Sequence, residues 1–161
     1  MKKTDNVDSM ILGELRANSK RPIRELSHVL QMHPNTLLQR IKRLEKNGLI
    51  RGYFADIDYK EMGLDIHAII MIKMRRGVFE GDKYLTDISR IPEVESLYSV
   101  MGSTDCVATV KAKNRDDLVR VLKLIQNQQN VLRTNSHLVL VTYKEPHQFN
   151  PYLNLRNPKR H

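Results

Sequence analysis

The spacing of apolar residues in the first third of the chain predicts three amphipathic helices. The first starts near residues 5–7, the second follows Pro22 for about two turns, and the third runs from Pro34 to a stop signal at Asn47-Gly48. Because only residues 31–33 separate the second helix from the third, these two must cross steeply, as in a helix-turn-helix. The apolar positions of the three helices are Val7, Ile11, Leu12 and Leu15; Ile23, Leu26, Val29 and Leu30; and Leu37, Leu38, Ile41 and Leu44.

The rest of the chain predicts a second domain. Residues 49–57 alternate as a short strand does, and a polar connection with a glycine follows. The order beyond it is βαββαβ, with strands at 66–74, 94–101, 105–112 and about 136–143 and helices at about 80–90 and 115–126. This order is typical of the ferredoxin-like fold, in which two helices cover one face of a four-stranded antiparallel sheet.

The predicted fold class is therefore α+β, with an N-terminal winged-helix-like helix-turn-helix domain and a C-terminal ferredoxin-like domain. The predicted parts are a helix-turn-helix domain at 1–55, a linker at 56–64, a ferredoxin-like domain at 65–144 and an extended basic tail at 145–161.

Both faces of the predicted sheet carry apolar residues. In strand 66–74 one set of alternate positions is wholly apolar, and the other set, residues 67, 69, 71 and 73, is half apolar. The last strand repeats the pattern, with Leu138 and Leu140 on one side and Val139, Val141 and Tyr143 on the other. A monomer would expose a large apolar patch, so we expect the sheets of two subunits to pack together. The alternative is that the first domain folds back over this face.

Composition narrows the class of protein. The 161 residues carry 27 Lys and Arg against 18 Asp and Glu, and the only cysteine is Cys106. A single cysteine excludes an intrachain disulfide and fits a reducing cytoplasm. No run reaches the roughly 18 apolar residues of a membrane helix, and residues 1–5 lack the apolar stretch of a signal peptide, so we expect neither membrane spanning nor export.

The net charge of +9 is concentrated at the two ends of the chain. Residues 1–55 hold 11 basic and 5 acidic residues, residues 56–143 hold 12 of each, and residues 144–161 hold 4 and 1. This distribution indicates a module that binds a polyanion, joined to a domain with another task. By itself it fits a basic surface kept for solubility equally well.

The polar face of the third helix suits the reading of double-stranded DNA. Arginine can bond guanine bidentately, and Gln or Asn can do the same for adenine. The candidates for this face are Asn35, Thr36, Gln39, Arg40 and Arg43, with candidate phosphate contacts at Lys20, Arg21, Arg24, Lys42 and Arg51. The alternative for this face is an ordinary solvated helix face, and any one of the phosphate candidates could instead be a surface charge.

No catalytic constellation, metal site or cofactor site is predicted. The six histidines lack metal-ligand spacing, and His33 suits the cap of the third helix. Asp116 and Asp117 open a helix, where negative charge is stabilising. We therefore expect no enzyme, no metal and no cofactor.

Three segments of the chain carry a family resemblance: Val7-Asp8-Ser9-Met10-Ile11-Leu12, residues 23–27, and residues 33–50 from His33-Pro34-Asn35 to Gly48-Leu49-Ile50. From Thr4 to Lys144 the chain resembles the Lrp/AsnC (feast/famine) transcription regulators. The resemblance implies that paired first domains bind DNA, and that the second domain forms homodimers and senses amino acids. It also implies that dimers join into octamers of four dimers.

The resemblance also points to an effector turn. In the family a Gly-x-x-Asp turn helps form the effector pocket, and it corresponds here to Gly102, Ser103, Thr104 and Asp105, with Thr134 and Ser136 as further candidates. Glycine lets backbone amides approach a ligand carboxylate, and an aspartate can hold an ammonium group. Thr104 stands where relatives often have an aromatic residue. The alternative is a hairpin turn in which Asp105 bonds its own backbone.

Two other functions remain open. Some tetrapyrrole decarboxylases share this architecture, and His67 or His137 would then face a porphyrin-sized cavity. An architectural protein that compacts DNA without sequence preference is the other. Residues 145–161 predict an extended segment that wraps a partner subunit or adds DNA attraction.

Overall fold

The computed structural model describes residues 4–76 and 83–152. The described residues form two compact units, one made of residues 4–56 and 143–152, the other of residues 57–76 and 83–142. The elements of the first unit are α1 (Asn6–Ala17), α2 (Ile23–Val29), α3 (Pro34–Lys46) and a 3-10 turn (Pro146–Gln148). Those of the second are β1 (Ile66–Met74), α4 (Lys83–Ser89), β2 (Val94–Ser99), β3 (Cys106–Ala112), α5 (Arg115–Gln126) and β4 (Val131–Leu138).

Local capping signals set the ends of the first three helices. Asp5 caps α1 by accepting the Asp8 backbone N–H at 2.7 Å. His33 caps α3, as predicted, because its Nδ1 accepts the Asn35 N–H at 3.3 Å. The three predicted helices are confirmed, and their buried core consists of Ile11, Leu26, Leu30, Leu37, Ile41 and Leu44.

The turn between α2 and α3 is short and holds a backbone conformation that is unusual for its residue. Gln31 has a φ of 51°, in the left-handed region that favours glycine. The next residue, Met32, donates its N–H to the Ser27 carbonyl at 2.9 Å and so closes the turn. The predicted helix-turn-helix is therefore present, and Gln31 is the residue of its turn with a positive φ.

The predicted strand at residues 49–57 is wrong. Leu49 and Ile50 donate their N–H groups back to the Leu44 carbonyl, at 3.0 and 3.2 Å. Tyr53 then donates its hydroxyl to Glu45 at 2.8 Å, and Phe54 is 86% exposed. Alternation alone cannot make a strand, because a strand needs a neighbour for its backbone groups, and none of the described strands pairs with these residues.

The second unit is a four-stranded antiparallel sheet in the order β2-β3-β1-β4, as the ferredoxin-like prediction requires. Strand β1 lies in the middle, with Ile70 opposite Ala108 of β3 and Ser136 of β4. One face of the sheet packs against α4 and α5, and the residues that β1 and β3 place on this face are mostly buried. Its core comprises Ala68, Ile70, Ile72, Met74, Ile88, Ile91, Cys106, Ala108, Val110, Ala112, Leu118, Val121, Ile125 and Val131.

Strand β1 and helix α5 have the predicted bounds, whereas β4 does not. It runs from Val131 to Leu138 instead of about 136–143, because the register on β1 places Leu138 opposite Ala68. Residues 140–143 therefore extend beyond the paired part of β1, and Leu140 is 92% exposed. Strands β2 and β3 are shorter at their shared turn than predicted. Of the helix predicted at about 80–90, residues 80–82 lie outside the described residues.

The described part of the tail packs on α1. Arg16 donates from Nε to the Phe149 carbonyl at 2.9 Å and from Nη2 to the Pro146 carbonyl at 2.6 Å. Asn150 donates to the Gly13 carbonyl at 2.9 Å. Among residues 4–76 and 83–152, no helix is long and apolar enough to cross a membrane.

Candidate nucleic-acid interface and effector turn

Helix α3 presents the predicted polar face. Leu37, Ile41 and Leu44 bury the opposite side of the helix. The residues exposed on or beside the polar face are Asn35, Thr36, Gln39, Lys42 and Arg43, and Arg40 is half-buried. These side chains offer amide, hydroxyl and guanidinium groups, which are the groups that bond to base edges in the major groove.

The two arginines of this face already have acidic partners on α1. Asp8, with a side chain only 1% exposed, accepts from Arg40 at 2.8 Å and from Arg43 at 2.7 Å. Asp5 accepts a second bond from Arg40 at 2.7 Å. The Arg40 guanidinium lowers the pKa of the Asp5 carboxyl, with help from the Asp8 backbone N–H, and Asp5 in turn raises the pKa of Arg40.

Sequence reasoning missed Asp8, although the pattern contains a signal for it. Asp8 lies three, four and seven positions before Ile11, Leu12 and Leu15, on the apolar stripe of α1. A carboxylate in such a stripe must find a cationic partner, because an unpaired buried charge is costly. The basic residues of α3 supply that partner.

The predicted phosphate contacts divide into two groups. Arg21 is half-buried and already forms ion pairs with Glu14 and, at 3.3 Å, with Glu25. The other four are exposed in the first unit: Lys20, Arg24, Lys42 and Arg51. Arg21 would have to give up these pairs to bind a phosphate, so the other four are better placed for that role.

The turn between β2 and β3 holds Asp105 against strand β1. One carboxylate oxygen accepts the Met74 backbone N–H at 2.7 Å, and the other accepts from Lys73 Nζ at 3.0 Å. These two bonds, that of the Met74 N–H above all, lower the pKa of the Asp105 carboxyl. Gly102 has a φ of 134°, and Ser103 is exposed beside half-buried Thr104. Asp105 therefore bonds β1, whereas the hairpin alternative had it bond its own backbone.

Thr134 and Ser136 lie on the other side of the sheet from Lys73. They stand opposite Ile72 and Ile70, and directly opposite residues of an antiparallel pair share a face. Lys73 alternates with Ile72 and so points to the open face. Thr134 accepts a hydrogen bond from Gln126 of α5 at 2.7 Å. The structure thus separates these two candidates from Asp105 within one chain.

Two helices joined by a short turn, the second with a polar outer face, are typical of a two-domain DNA-binding protein when the chain also contains a ferredoxin-like sheet. The winged helix-turn-helix DNA-binding model matches residues 4–51, and the Lrp/AsnC ligand binding domain model matches residues 67–149. The chain belongs to the Lrp/AsnC family of transcription regulators.

Individual relatives agree with the family models. An HTH-type transcriptional regulator of Pyrococcus abyssi is 33% identical over 151 residues, which cover 91% of this chain and 99% of that protein. A transcriptional regulator of Neisseria meningitidis, solved with L-methionine, superposes with a TM-score of 0.83 at 26% identity, over 89% of this chain and 94% of its own. A feast or famine regulatory protein of Mycobacterium tuberculosis, complexed with L-methionine, gives 0.81 at 29% identity, over 91% and 99%.

These relatives are regulators and not enzymes, so the decarboxylase alternative is wrong. His67 instead lies 3.9 Å from Glu95, and His137 stands opposite Ile69 on the neighbouring strand. No group of three or more His, Cys, Asp or Glu side chains that could hold a metal ion occurs within the described part of the chain.

Proposed function

We propose that this regulator binds double-stranded DNA sequence-specifically through the exposed face of α3, in the division of labour predicted for residues 1–55 and 65–144. The observation that carries the proposal is the polar face of α3 above the buried side chains of Leu37, Ile41 and Leu44. Such a helix enters the major groove with its polar side chains toward the bases. The proposed groove-facing residues are Asn35, Thr36, Gln39 and Arg43, with half-buried Arg40 beside them as the weaker candidate.

The phosphate contacts are proposed at Lys20, Arg24, Lys42 and Arg51, with Arg21 as a weaker candidate because of its ion pairs. They position the protein but carry no sequence information, because every nucleotide presents the same phosphate group. We therefore expect the phosphate contacts to raise affinity for every DNA, and the polar face of α3 to determine which sequence is preferred.

The test is a selection of binding fragments from random DNA by the full chain, followed by competition against the unselected pool. Gln39→Ala should remove roughly 1–3 kcal/mol of discrimination between selected and random DNA. Lys20→Ala is the matched control, since it should weaken binding to both DNAs equally and flatten the salt dependence. If the wild-type chain selects no sequence, the protein is an architectural DNA-binding protein.

We propose further that the Gly102–Asp105 turn contributes to a site for an amino acid effector, with Thr134 and Ser136 as weaker candidates. Two structural relatives hold L-methionine, which supports this class of ligand. Ionised Asp105 suits the ammonium group, and the glycine turn gives a carboxylate access to backbone amides.

Calorimetric titration with each amino acid tests the effector proposal. Asp105→Ala should cost about 1.5–3 kcal/mol of effector affinity, the range for a hydrogen bond that involves a charge. Gln126→Ala tests the weaker candidate separately, because it removes the partner of Thr134 and leaves Asp105 in place. If no amino acid binds the wild-type chain, the second unit serves assembly alone.

We propose a homodimer that joins through the open sheet face, able to assemble into an octamer of four dimers in the cytoplasm. On this face Met71 is 39% exposed and Tyr98 is 59% exposed. Met71→Glu should shift the full chain toward monomer in analytical ultracentrifugation. Val119→Glu is the matched control, because Val119 is also 39% exposed but lies on α5, on the other side of the sheet. Equal effects of the two substitutions would overturn this choice of face.

A further inference from the structure

The contacts of Asp8 with α3 point to a role beyond stability. Arg43 donates from Nη2 to both carboxylate oxygens of Asp8, each at 2.7 Å. The Asp5 backbone N–H also donates to Asp8, at 3.3 Å. The carboxylate is thus held from two elements, and it fixes the end of the Arg43 side chain while half of that side chain, 51%, stays exposed.

Arg40 is held differently. Its Nη1 lies 2.7 Å from Asp5 and 2.8 Å from Asp8, and only 26% of its side chain is exposed. To reach a base edge with both arms, this guanidinium would have to leave two carboxylates, one of them buried. Arg43 bonds Asp8 through Nη2 alone, so its other guanidinium nitrogens can face a base edge while Asp8 still holds the side chain.

We propose that Asp8 is a positioning residue for DNA recognition, which holds Arg43 as the arginine that reads bases while Asp5 and Asp8 keep Arg40 as an anchor of α3 on α1. The inference rests on the proposed role of the α3 face. A guanidinium whose orientation is fixed before binding loses less conformational freedom when it pairs with a base, and the fixed orientation favours one base over the others.

The direction in which Asp8→Asn changes DNA affinity distinguishes a positioning role from a general electrostatic effect. Asp8→Asn removes a negative charge beside the DNA-binding face, so electrostatics alone should tighten binding to every DNA. If Asp8 positions Arg43, the substitution should instead weaken binding to the selected sequence relative to random DNA. Asp8→Asn should lower the ratio of selected to random DNA affinity roughly 10-fold, because one ordered arginine–base pair is lost.

Asp5→Asn is the matched control. It removes the same charge, and the side chain of α3 that Asp5 bonds is Arg40, not Arg43. Asp5 also accepts the Asp8 N–H as the cap of α1, and asparagine caps a helix as well as aspartate does. The selected-to-random ratio should therefore change little in Asp5→Asn, although random DNA binds somewhat more tightly. An equal fall of the ratio in both variants would overturn the special role of Asp8.

A double-mutant cycle on the full chain completes the test. Arg43→Ala alone should lower the ratio, and Asp8→Asn should have little further effect in that background. If the two substitutions lower the ratio by independent factors that multiply, the role of Asp8 is overturned, but the proposal that the α3 face reads DNA is not. If neither Arg43→Ala nor Gln39→Ala changes the ratio, the proposed reading face is itself wrong. Should Asp8→Asn fail to fold, Asp8→Glu keeps the charge but moves the carboxylate, and an unchanged ratio in that variant overturns the inference.

Discussion

The carboxylate of Asp105, in the turn between β2 and β3, accepts a hydrogen bond from the ammonium group of Lys73 at 3.0 Å. Its second oxygen accepts the Met74 backbone N–H at 2.7 Å, so the turn is fastened to the end of β1 by an ionised group. The same carboxylate is the proposed partner of an effector ammonium. Its contribution to stability and its contribution to binding can therefore be measured on one residue.

Asp105 should make the free energy of unfolding depend on pH in acid. Because its folded pKa lies below the ordinary value of 3.8, the ionised group stabilises the fold above that pH. This stabilisation is lost as the pH falls through the folded pKa. Asp105→Asn keeps an acceptor for Met74 and should cost about 0.5–1 kcal/mol at neutral pH, with a flatter dependence below pH ~4. Urea unfolding between pH 2.5 and 7 measures both, and an unchanged acid slope would contradict the assignment.

Lys73 should compete with an amino acid effector. Its ammonium group already occupies one oxygen of Asp105, so a ligand ammonium must displace or share it. Lys73→Met should tighten effector binding by about 5-fold, the worth of a partly exposed ion pair of ~1 kcal/mol. Lys111→Met removes a lysine that pairs with Glu95 on the same face and should leave the affinity unchanged. Weaker binding in Lys73→Met would show instead that Lys73 holds the ligand carboxylate.

The sequence predicted best what short-range chemistry determines. Helix α3 begins where Pro34 and the His33 cap place it, and β1 and α5 have the predicted bounds, because capping and periodicity are local. The predicted bounds of strand β4 were wrong, because they depend on which residues stand opposite β1. The same holds for residues 49–57, whose alternation has no paired neighbour among the described strands.

The candidate sites divide in the same way. The exposed face of α3 follows from helical spacing, and Gln39 lies where that spacing predicts. The partners of Arg40 and Arg43 could not be predicted from α3 alone, because Asp8 is more than 30 residues away in the sequence. The contact of Lys73 with Asp105 was not predicted either, because it depends on the register of β1 and β3.

Gln31 should be a site where glycine stabilises the protein. Its φ of 51° costs about 1–2 kcal/mol for a residue with a Cβ, which equals or exceeds the extra chain entropy of glycine, about 0.5–1 kcal/mol. Gln31→Gly should raise the free energy of unfolding of the helical unit by up to about 1 kcal/mol. Gln39→Gly is the control of opposite sign, because it places glycine within α3 and should cost about 1 kcal/mol. Urea unfolding followed by circular dichroism decides, and destabilisation by Gln31→Gly would contradict the conformational argument.

The tail should reverse the usual effect of an alanine in α1. Gly13 lies inside the helix, where alanine is favoured over glycine by about 1 kcal/mol. A Cβ at this position would lie 3.0 Å from the Cβ of Tyr152, closer than packed carbon atoms normally approach. Gly13→Ala should therefore stabilise a chain that ends at Lys144 by about 1 kcal/mol, and be neutral or destabilising in the full chain. Urea unfolding of wild type and Gly13→Ala, each with and without the tail, measures this coupling. Ser9→Ala in α1 is the control, because it should change the free energy of unfolding equally with and without the tail. An equal gain from Gly13→Ala in both lengths would show that residues 145–152 do not pack on α1 in solution.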